Sequence, residues 1–239
     1  MSRFSECIAS LDQDKKGVQF ERFVKWFLKN DPEWSTQVDK VWLWNEYPNR
    51  WGADLGIDLV FKHKNGETWA VQAKCYSEEY PIKKSDVDSF LSESNRKLID
   101  RRLLISSTDI IGKNAKQVCF DQEKPVTLFL YSDVDKSVID YPKSFKELSK
   151  AKQRKKPTPR PHQREAIKAV AKGFENTDRG QLIMACGTGK TFTTLWIKER
   201  LEAGSTLILL PSLSLLSQTL REWTSACNEE FEALCVWRL

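Results

Sequence analysis

Asp58, Gln72 and Lys74 are the residues whose types and spacing first invite chemistry. A carboxylate, an amide oxygen and an ammonium brought to one point make a site for Mg²⁺ and a water that attacks a phosphodiester. Two short apolar strands have to bring them there. They flank Lys64-Asn65-Gly66-Glu67, and Asn-Gly between apolar runs is the strongest short hairpin signal a sequence carries. The first strand opens with Asp58, between Ile57 and Leu59; the second runs from Thr68 to Ala73 and ends at Lys74. On a hairpin the end of the second strand lies beside the start of the first. Asp58, Gln72 and Lys74 therefore converge at one end of the sheet, and period-two alternation puts Gln72 and Lys74 on one face. A charge at the mouth of a core strand is costly unless compensated. Asp54, in the preceding turn, competes with Asp58 for the metal. Asp58 is preferred because an apolar strand fixes its carboxylate. The plainer alternative is a solvated strand end in which Lys74 and Asp58 form a surface ion pair of little worth.

Gly56-Ile57-Asp58 and Gln72-Ala73-Lys74 resemble the pattern of the Mrr-like branch of the PD-(D/E)xK nucleases. In that branch Gln often replaces the second acidic residue before x-Lys. The resemblance implies a DNA endonuclease that uses Mg²⁺ on double-stranded DNA. Asp58 and Gln72 would be metal ligands, and Lys74 would position or activate water. A Glu on the first helix often joins the metal in this family, and Gln19-Phe20-Glu21 resembles that position; on the residues alone, Glu21 is equally an exposed partner of Lys25 at i+4.

A second chemical site begins at Cys186-Gly187-Thr188-Gly189-Lys190-Thr191. An apolar run, Gln181 to Ala185, precedes it and a helix through Leu201 follows. Strand, glycine-rich turn, Lys-Thr and helix are the parts of a P-loop. Backbone N–H groups and the helix N-terminus cradle phosphates, Lys190 reaches the β/γ oxygens, and the Thr191 hydroxyl holds Mg²⁺. The strict pattern needs Gly at Met184. Met-Ala-Cys-Gly-Thr-Gly-Lys-Thr instead resembles motif I of superfamily 2 helicases and DNA translocases. Arg160-Pro161-His162-Gln163 resembles the Q-motif, in which the Gln recognises the adenine edge, and 206–212 with Leu215…Gln218-Thr219 resembles motif Ia. Together, 159–223 resembles the start of the motor in type I and type ISP restriction translocases, which implies ATP as cofactor.

The elements that must position these sites follow from periodicity. Phe20, Phe23, Val24, Phe27 and Leu28 form the apolar stripe of a helix from about Val18 to Lys29, ended at Asp31-Pro32. Val38 to Tyr47 reads as a strand whose tryptophans, Trp42 and Trp44, pack the sheet rather than stack on bases. A helix is expected from Ser85 to Leu98, strands at 102–106 and 126–131, and a short helix near 114–120. The fold class is α/β: a restriction-endonuclease-like mixed sheet flanked by helices, then an incomplete P-loop (RecA-like) parallel α/β domain. Lys83, Lys84, Arg96, Lys97, Arg101 and Arg102 line either a DNA-facing surface or a solvated one.

The net charge of +5 is concentrated. Residues 1–149 hold 23 basic and 24 acidic side chains, and 165–239 hold 8 and 9. Residues 150–164 hold seven basic side chains and no acidic one, so the whole excess sits there. With Pro157, Pro159 and Pro161 this marks a linker at 149–161, between a nuclease domain at 1–148 and the first part of a motor at 162–239. Its charges could also meet phosphates. No apolar run approaches the roughly 20 residues of a membrane helix, and the N-terminus lacks a signal-peptide core. Six scattered Cys without a Cys-x-x-Cys pair fit a reducing cytoplasm.

After Lys190 there is no Asp, and Glu229-Glu230 precedes the third apolar run rather than following it. The Asp-Glu pair such a motor needs is thus missing. The chain is expected to be an N-terminal piece of a larger protein, without its target-recognition region, and the motor fold of the piece is itself open. Three rival functions stand beside the nuclease. One is a degenerate nuclease domain that only positions DNA, one an inactive remnant, and one a repair helicase.

Overall fold

In the computed structural model the described residues are 3–53, 56–137, 139–150, 156–185, 187–229, 231 and 233–236. Asp54, Cys186 and linker residues 151–155 therefore lie outside the described residues. The chain divides into two compact units, Met1–Gln153 and Arg154–Leu239.

The first unit is built on a five-stranded mixed sheet: β1 (Val38–Leu43), β2 (Leu59–His63), β3 (Thr68–Lys74), β4 (Arg101–Ser106) and β5 (Val126–Phe129), in that spatial order. β1, β2 and β3 pair antiparallel, whereas β3, β4 and β5 pair parallel. The β2–β3 hairpin forms as the Asn-Gly signal requires. Gly66 takes φ +95°, Gly66 N donates to His63 O (2.9 Å) and His63 N to Glu67 O (2.8 Å). Each sheet face carries its own core. One gathers Leu59, Phe61, Val71, Leu103 and Ile105; the other gathers Ile57, Val60, Ala70, Leu104 and Val126.

Helix α1 (Arg3–Ala9) and helix α2 (Lys16–Asn30) supply the first core with Phe4, Phe20, Phe23, Val24, Phe27 and Leu28, all fully buried. At roughly 1.5–3 kcal/mol for each such side chain, this one stripe is a major part of what holds the unit together. Asp31 ends α2 in an extended conformation, and its carboxylate accepts from the N–H groups of Glu33 and Trp34 at the start of α3 (Trp34–Gln37). On the other face lie α4 (Asp88–Glu93) and α5 (Lys113–Phe120), while α6 (Tyr131–Asp135) returns to the first core through Val134.

Three expectations are corrected. The strand expected over 38–47 ends at Leu43, because Trp44 N donates to Asp58 O (2.8 Å) and the chain closes a 3₁₀ turn over 44–46. Trp44 is buried there as core, as its packing role required. The helix expected over 85–98 shrinks to α4, preceded by a 3₁₀ turn at 84–86. Side chains hold the carbonyls at and past its end. Arg102 Nη2 donates to Leu91 O (3.0 Å), which a longer helix would have offered to Asn95 N, and Lys124 Nζ donates to Arg96 O (3.0 Å) and Ile99 O (2.8 Å) in the loop that follows. Arg102 is no DNA-facing residue. It is fully buried, donating to Lys124 O (2.7 Å), Leu91 O (3.0 Å) and Asn95 Oδ1 (3.1 Å). Of the remaining basic residues, Lys84 pairs with Asp88, Arg96 with Glu93 and Arg101 with Glu67.

The Arg102 clamp has a measurable consequence. Arg102→Ala strips the donor from the Leu91 and Lys124 carbonyls around a new void, and each unsatisfied buried group costs about 1–3 kcal/mol. A loss of roughly 3–5 kcal/mol is expected in urea unfolding of the full chain. A loss below about 1 kcal/mol would show that the clamp adds nothing.

The second unit contains α7 (Pro161–Gly173), α8 (Lys190–Arg200) and α9 (Leu213–Ala226). Leu195, Trp223, Ala226 and Cys227 form its small core. The apolar run expected as a strand at 181–185, and the run at 206–210 within the motif Ia resemblance, belong to no sheet among the described residues. Ile183, Leu207 and Leu209 are more than four-fifths exposed. A parallel strand is stabilised by neighbours on both edges and cover on both faces, and these runs have neither among the described residues. No helix among the described residues is long and apolar enough to cross a membrane.

Candidate active site

Asp58 sits one residue before β2. Since Leu59 pairs with Val71, Asp58 falls opposite Gln72 on β3. Its backbone is tied to both neighbours, through Asp58 N to Val71 O (3.0 Å) and Trp44 N to Asp58 O (2.8 Å). Its Oδ2 accepts from Ala73 N (2.6 Å) and from Gln72 Nε2 (3.2 Å). The carboxylate is thus seated by groups of β3.

Gln72 is buried, and its side chain follows the parity of Ala70 into the second core face. Nε2 is bonded to Asp58, yet Oε1 has no hydrogen-bond partner among the described residues. An unpaired buried acceptor costs about 1–3 kcal/mol. Lys74 closes β3 half-buried, in register with Ser106 of β4. All three sequence-derived residues therefore meet at one end of the sheet.

The donor set fits a hard divalent cation. The orphaned Oε1 of Gln72 beside the Asp58 carboxylate offers the oxygen ligands that Mg²⁺ prefers, with water and phosphate oxygens completing such a shell. Among the described residues no group of three or more His, Cys, Asp or Glu gathers to hold a metal. This Asp–Gln set would therefore carry one formal charge.

Glu21 lies half-buried on α2, the helix that covers Leu59, Phe61 and Val71. Gln72 follows the opposite face, so Glu21 would have to act around the sheet end. Cys75 follows Lys74 at that end, and burial holds its thiol pKa above the ordinary value, with Ser107 and Lys16 opposing it.

Two features that the sequence pattern only hinted at fix the approach to Asp58. Gly56 has φ +129°, and a Cβ on it would lie 2.7 Å from Ser89 Oγ and 2.9 Å from Phe90 N. α4 thus packs directly on the Gly56 backbone. Trp51 latches the same loop to α4: its Nε1 donates to Glu93 Oε2 (3.0 Å), and Arg96 lies 4.9 Å over its ring. Beyond Lys74, the Tyr76 phenol is pushed up to about 12 by burial and by the Asp86 carboxylate.

In the second unit, Gly187 (φ +75°) and Gly189 (φ +81°) adopt left-handed conformations, and Gly189 caps α8. Peptide N–H groups and the helix dipole meet there, the arrangement that binds phosphate. Lys190 Nζ donates to Ala185 O (3.2 Å), folded back over the turn, and Thr188 Oγ1 donates to Ala185 O (2.7 Å). Thr191 is the second residue of α8, its carbonyl accepting from Trp223 Nε1 (2.9 Å). Gln163 is buried. Its Oε1 accepts from Arg160 N (2.8 Å), while Nε2 donates to Thr188 O (3.1 Å) and Gly189 O (3.2 Å). In this conformation the amide braces the turn.

Comparison with known proteins gives these sites a family context. Residues 29–151 match the family model Mrr_cat_2, restriction endonuclease, and residues 156–236 match that of the type III restriction enzyme, res subunit. Among solved structures, the chain matches the ATP-dependent type ISP restriction-modification enzyme LlaBIII bound to DNA at 34% identity and TM-score 0.74. That match covers 90% of this chain and 14% of that enzyme, so the chain spans about one-seventh of its length. The DNA modification-dependent restriction endonuclease AspBHI matches at 19% identity and TM-score 0.38, over 56% of this chain and 37% of that one. No curated protein matches the chain.

Proposed function

The chain belongs to the Mrr-type restriction endonuclease family and carries a helicase-type region after that domain, and from this we propose that its first unit cuts double-stranded DNA. The observation that carries the reading is the unpaired Gln72 Oε1 beside the Asp58 carboxylate, with Lys74 next on the same strand face. Asp58 and Gln72 would hold Mg²⁺, with Glu21 as a further ligand from the sheet end. Bound there, the ion would polarise a phosphodiester oxygen and lower the pKa of a water. Lys74 orients that water and offsets the negative charge that builds on the phosphoryl oxygens. Burial of Gln72 and its neighbours lowers the local dielectric, which strengthens both contributions.

The nuclease domain is assigned to 1–148, the basic linker to 149–161 and the motor portion to 162–239. Gly187, Thr188, Gly189, Lys190 and Thr191 would cradle ATP and its Mg²⁺, with Gln163 reading the adenine edge once released from the turn. Translocation on DNA, and any target-recognition region, belong to a longer protein of the type that LlaBIII represents.

The test is metal removal. Plasmid and linear DNA are incubated with the chain in Mg²⁺ or Mn²⁺, and in parallel with a chelator. Cleavage with either ion, and none with the chelator, is the expected result; cutting that ignores the chelator would sink the metal assignment. One observation favours a second reading. With Gln72 in place of an acid the site holds a single charge, which suits a domain that only positions DNA. That reading predicts DNA retention in a mobility-shift assay with no cutting under any metal.

A further inference from the structure

We infer that Ser107 is the positioning residue for Lys74, acting through the backbone that follows it. The inference rests on the reading of Lys74 as part of a nuclease site. The β3–β4 ladder ends with Lys74 opposite Ser106. The last ladder bond runs from the Ser107 backbone N–H to Lys74 O (3.0 Å). Past it the chain leaves the sheet, and the Ser107 side chain takes over. Its hydroxyl then accepts from Tyr76 N (2.8 Å) and donates to Tyr76 O (2.7 Å).

A hydroxyl has one proton and two lone pairs, so one atom can bind both groups of a single residue at once. Ser107 thereby extends the sheet by one artificial pair, gripping Lys74 and Tyr76 with Cys75 between them. It is buried to 2% exposure, so water does not replace these bonds without a local opening. Its neighbours stiffen the frame. Thr108 Oγ1 donates to Glu78 O (2.9 Å), Thr108 N donates to Ser106 Oγ (3.2 Å), and Ile82 bridges to Ile111 further along. A lysine side chain has four rotatable bonds, so backbone freedom at its root is multiplied at its ammonium. A displacement of about 1 Å at a reacting group can cost on the order of 10²-fold in rate.

The experiment compares wild type, Ser107→Ala, Lys74→Met and the double variant in the full chain. Single-turnover cleavage and DNA affinity are measured alongside backbone amide exchange without metal. Ser107→Ala is expected to lower cleavage about 10- to 100-fold with DNA affinity held within about twofold, and to add no further loss to Lys74→Met. Exchange at Tyr76 should accelerate at least tenfold, while Val71 and Leu103 in the strands stay protected. Ser107→Thr, which keeps the hydroxyl, should restore both readouts in large part. Unchanged exchange at Tyr76 overturns the inference, as does an additive loss in the double variant. If wild type itself fails to cut, the nuclease reading fails, and the exchange arm still decides whether Ser107 holds the segment.

Discussion

Asp58→Asn and Lys74→Met should each lower DNA cleavage by at least about 10³-fold, while DNA affinity stays within a few-fold and the unfolding midpoint barely moves. A factor of 10³ corresponds to roughly 4 kcal/mol of transition-state stabilisation. That is the scale on which one preorganised charged group acts in a site that excludes water. Asn has the shape of Asp and retains an oxygen for the Ala73 N–H, so the strand end stays seated. It loses the one formal charge among the two strand ligands. Met keeps the stem of Lys74 and removes only the ammonium. Each substitution therefore isolates chemistry from packing. Cleavage and affinity are read from gel kinetics and mobility shifts, and the midpoint from urea unfolding. If either variant cuts at more than a tenth of the wild-type rate, its residue is not in the catalytic set. If both lose DNA affinity in step with cleavage, their role is in binding.

Gly56→Ala is the second large effect, and it acts through the backbone. A φ of +129° is strained for any residue with a Cβ, and the added carbon would sit 2.7 Å from Ser89 Oγ and 2.9–3.0 Å from the backbone of Ser89 and Phe90. A hydroxyl can rotate away, but a peptide in the first turn of α4 cannot. Conformational strain of about 1–3 kcal/mol adds to an overpacking cost of similar size. The expected loss is roughly 3–4 kcal/mol, lowering the melting midpoint by on the order of 10 °C. Asp58 lies two residues on, so cleavage should fall further than stability at temperatures where the variant is still folded. Gly52→Ala serves as control, since a Cβ there meets nothing within 4 Å, and it should change stability by less than about 0.5 kcal/mol. Equal stability of the two variants would show that α4 yields to the new carbon.

Much of the nuclease unit is determined by sequence alone. The 3.6-residue recurrence of Phe20, Phe23, Val24, Phe27 and Leu28 specifies α2, because a helix is the conformation that buries all five on one face. Asn65-Gly66 specifies the hairpin, because Gly66 takes the left-handed φ of +95° that glycine adopts without penalty and the Asn65 side chain accepts from Glu67 N (2.9 Å). Together with the pleat, that hairpin makes the meeting of Asp58 with Gln72 a matter of register. The glycines of the turn at 187–189 are legible for the same local reason.

Only the tertiary structure decided the rest. Arg102 reads as a surface charge in sequence, and its burial follows from carbonyls at Leu91 and Lys124 that the chain brings to it from other elements. The early end of α4 has the same origin, since the Lys124 ammonium comes from 25 positions beyond Ile99 to hold the loop after it. Ser107 carries no motif at all; its role exists because two parallel strands place it beside the residues after Lys74. The runs at 181–185 and 206–210 have the composition of buried strands but lie exposed outside any sheet. A strand's stability resides in its neighbours, and composition alone cannot supply them. Local sequence fixes what each segment prefers; the long-range pairings fix which of those preferences are satisfied.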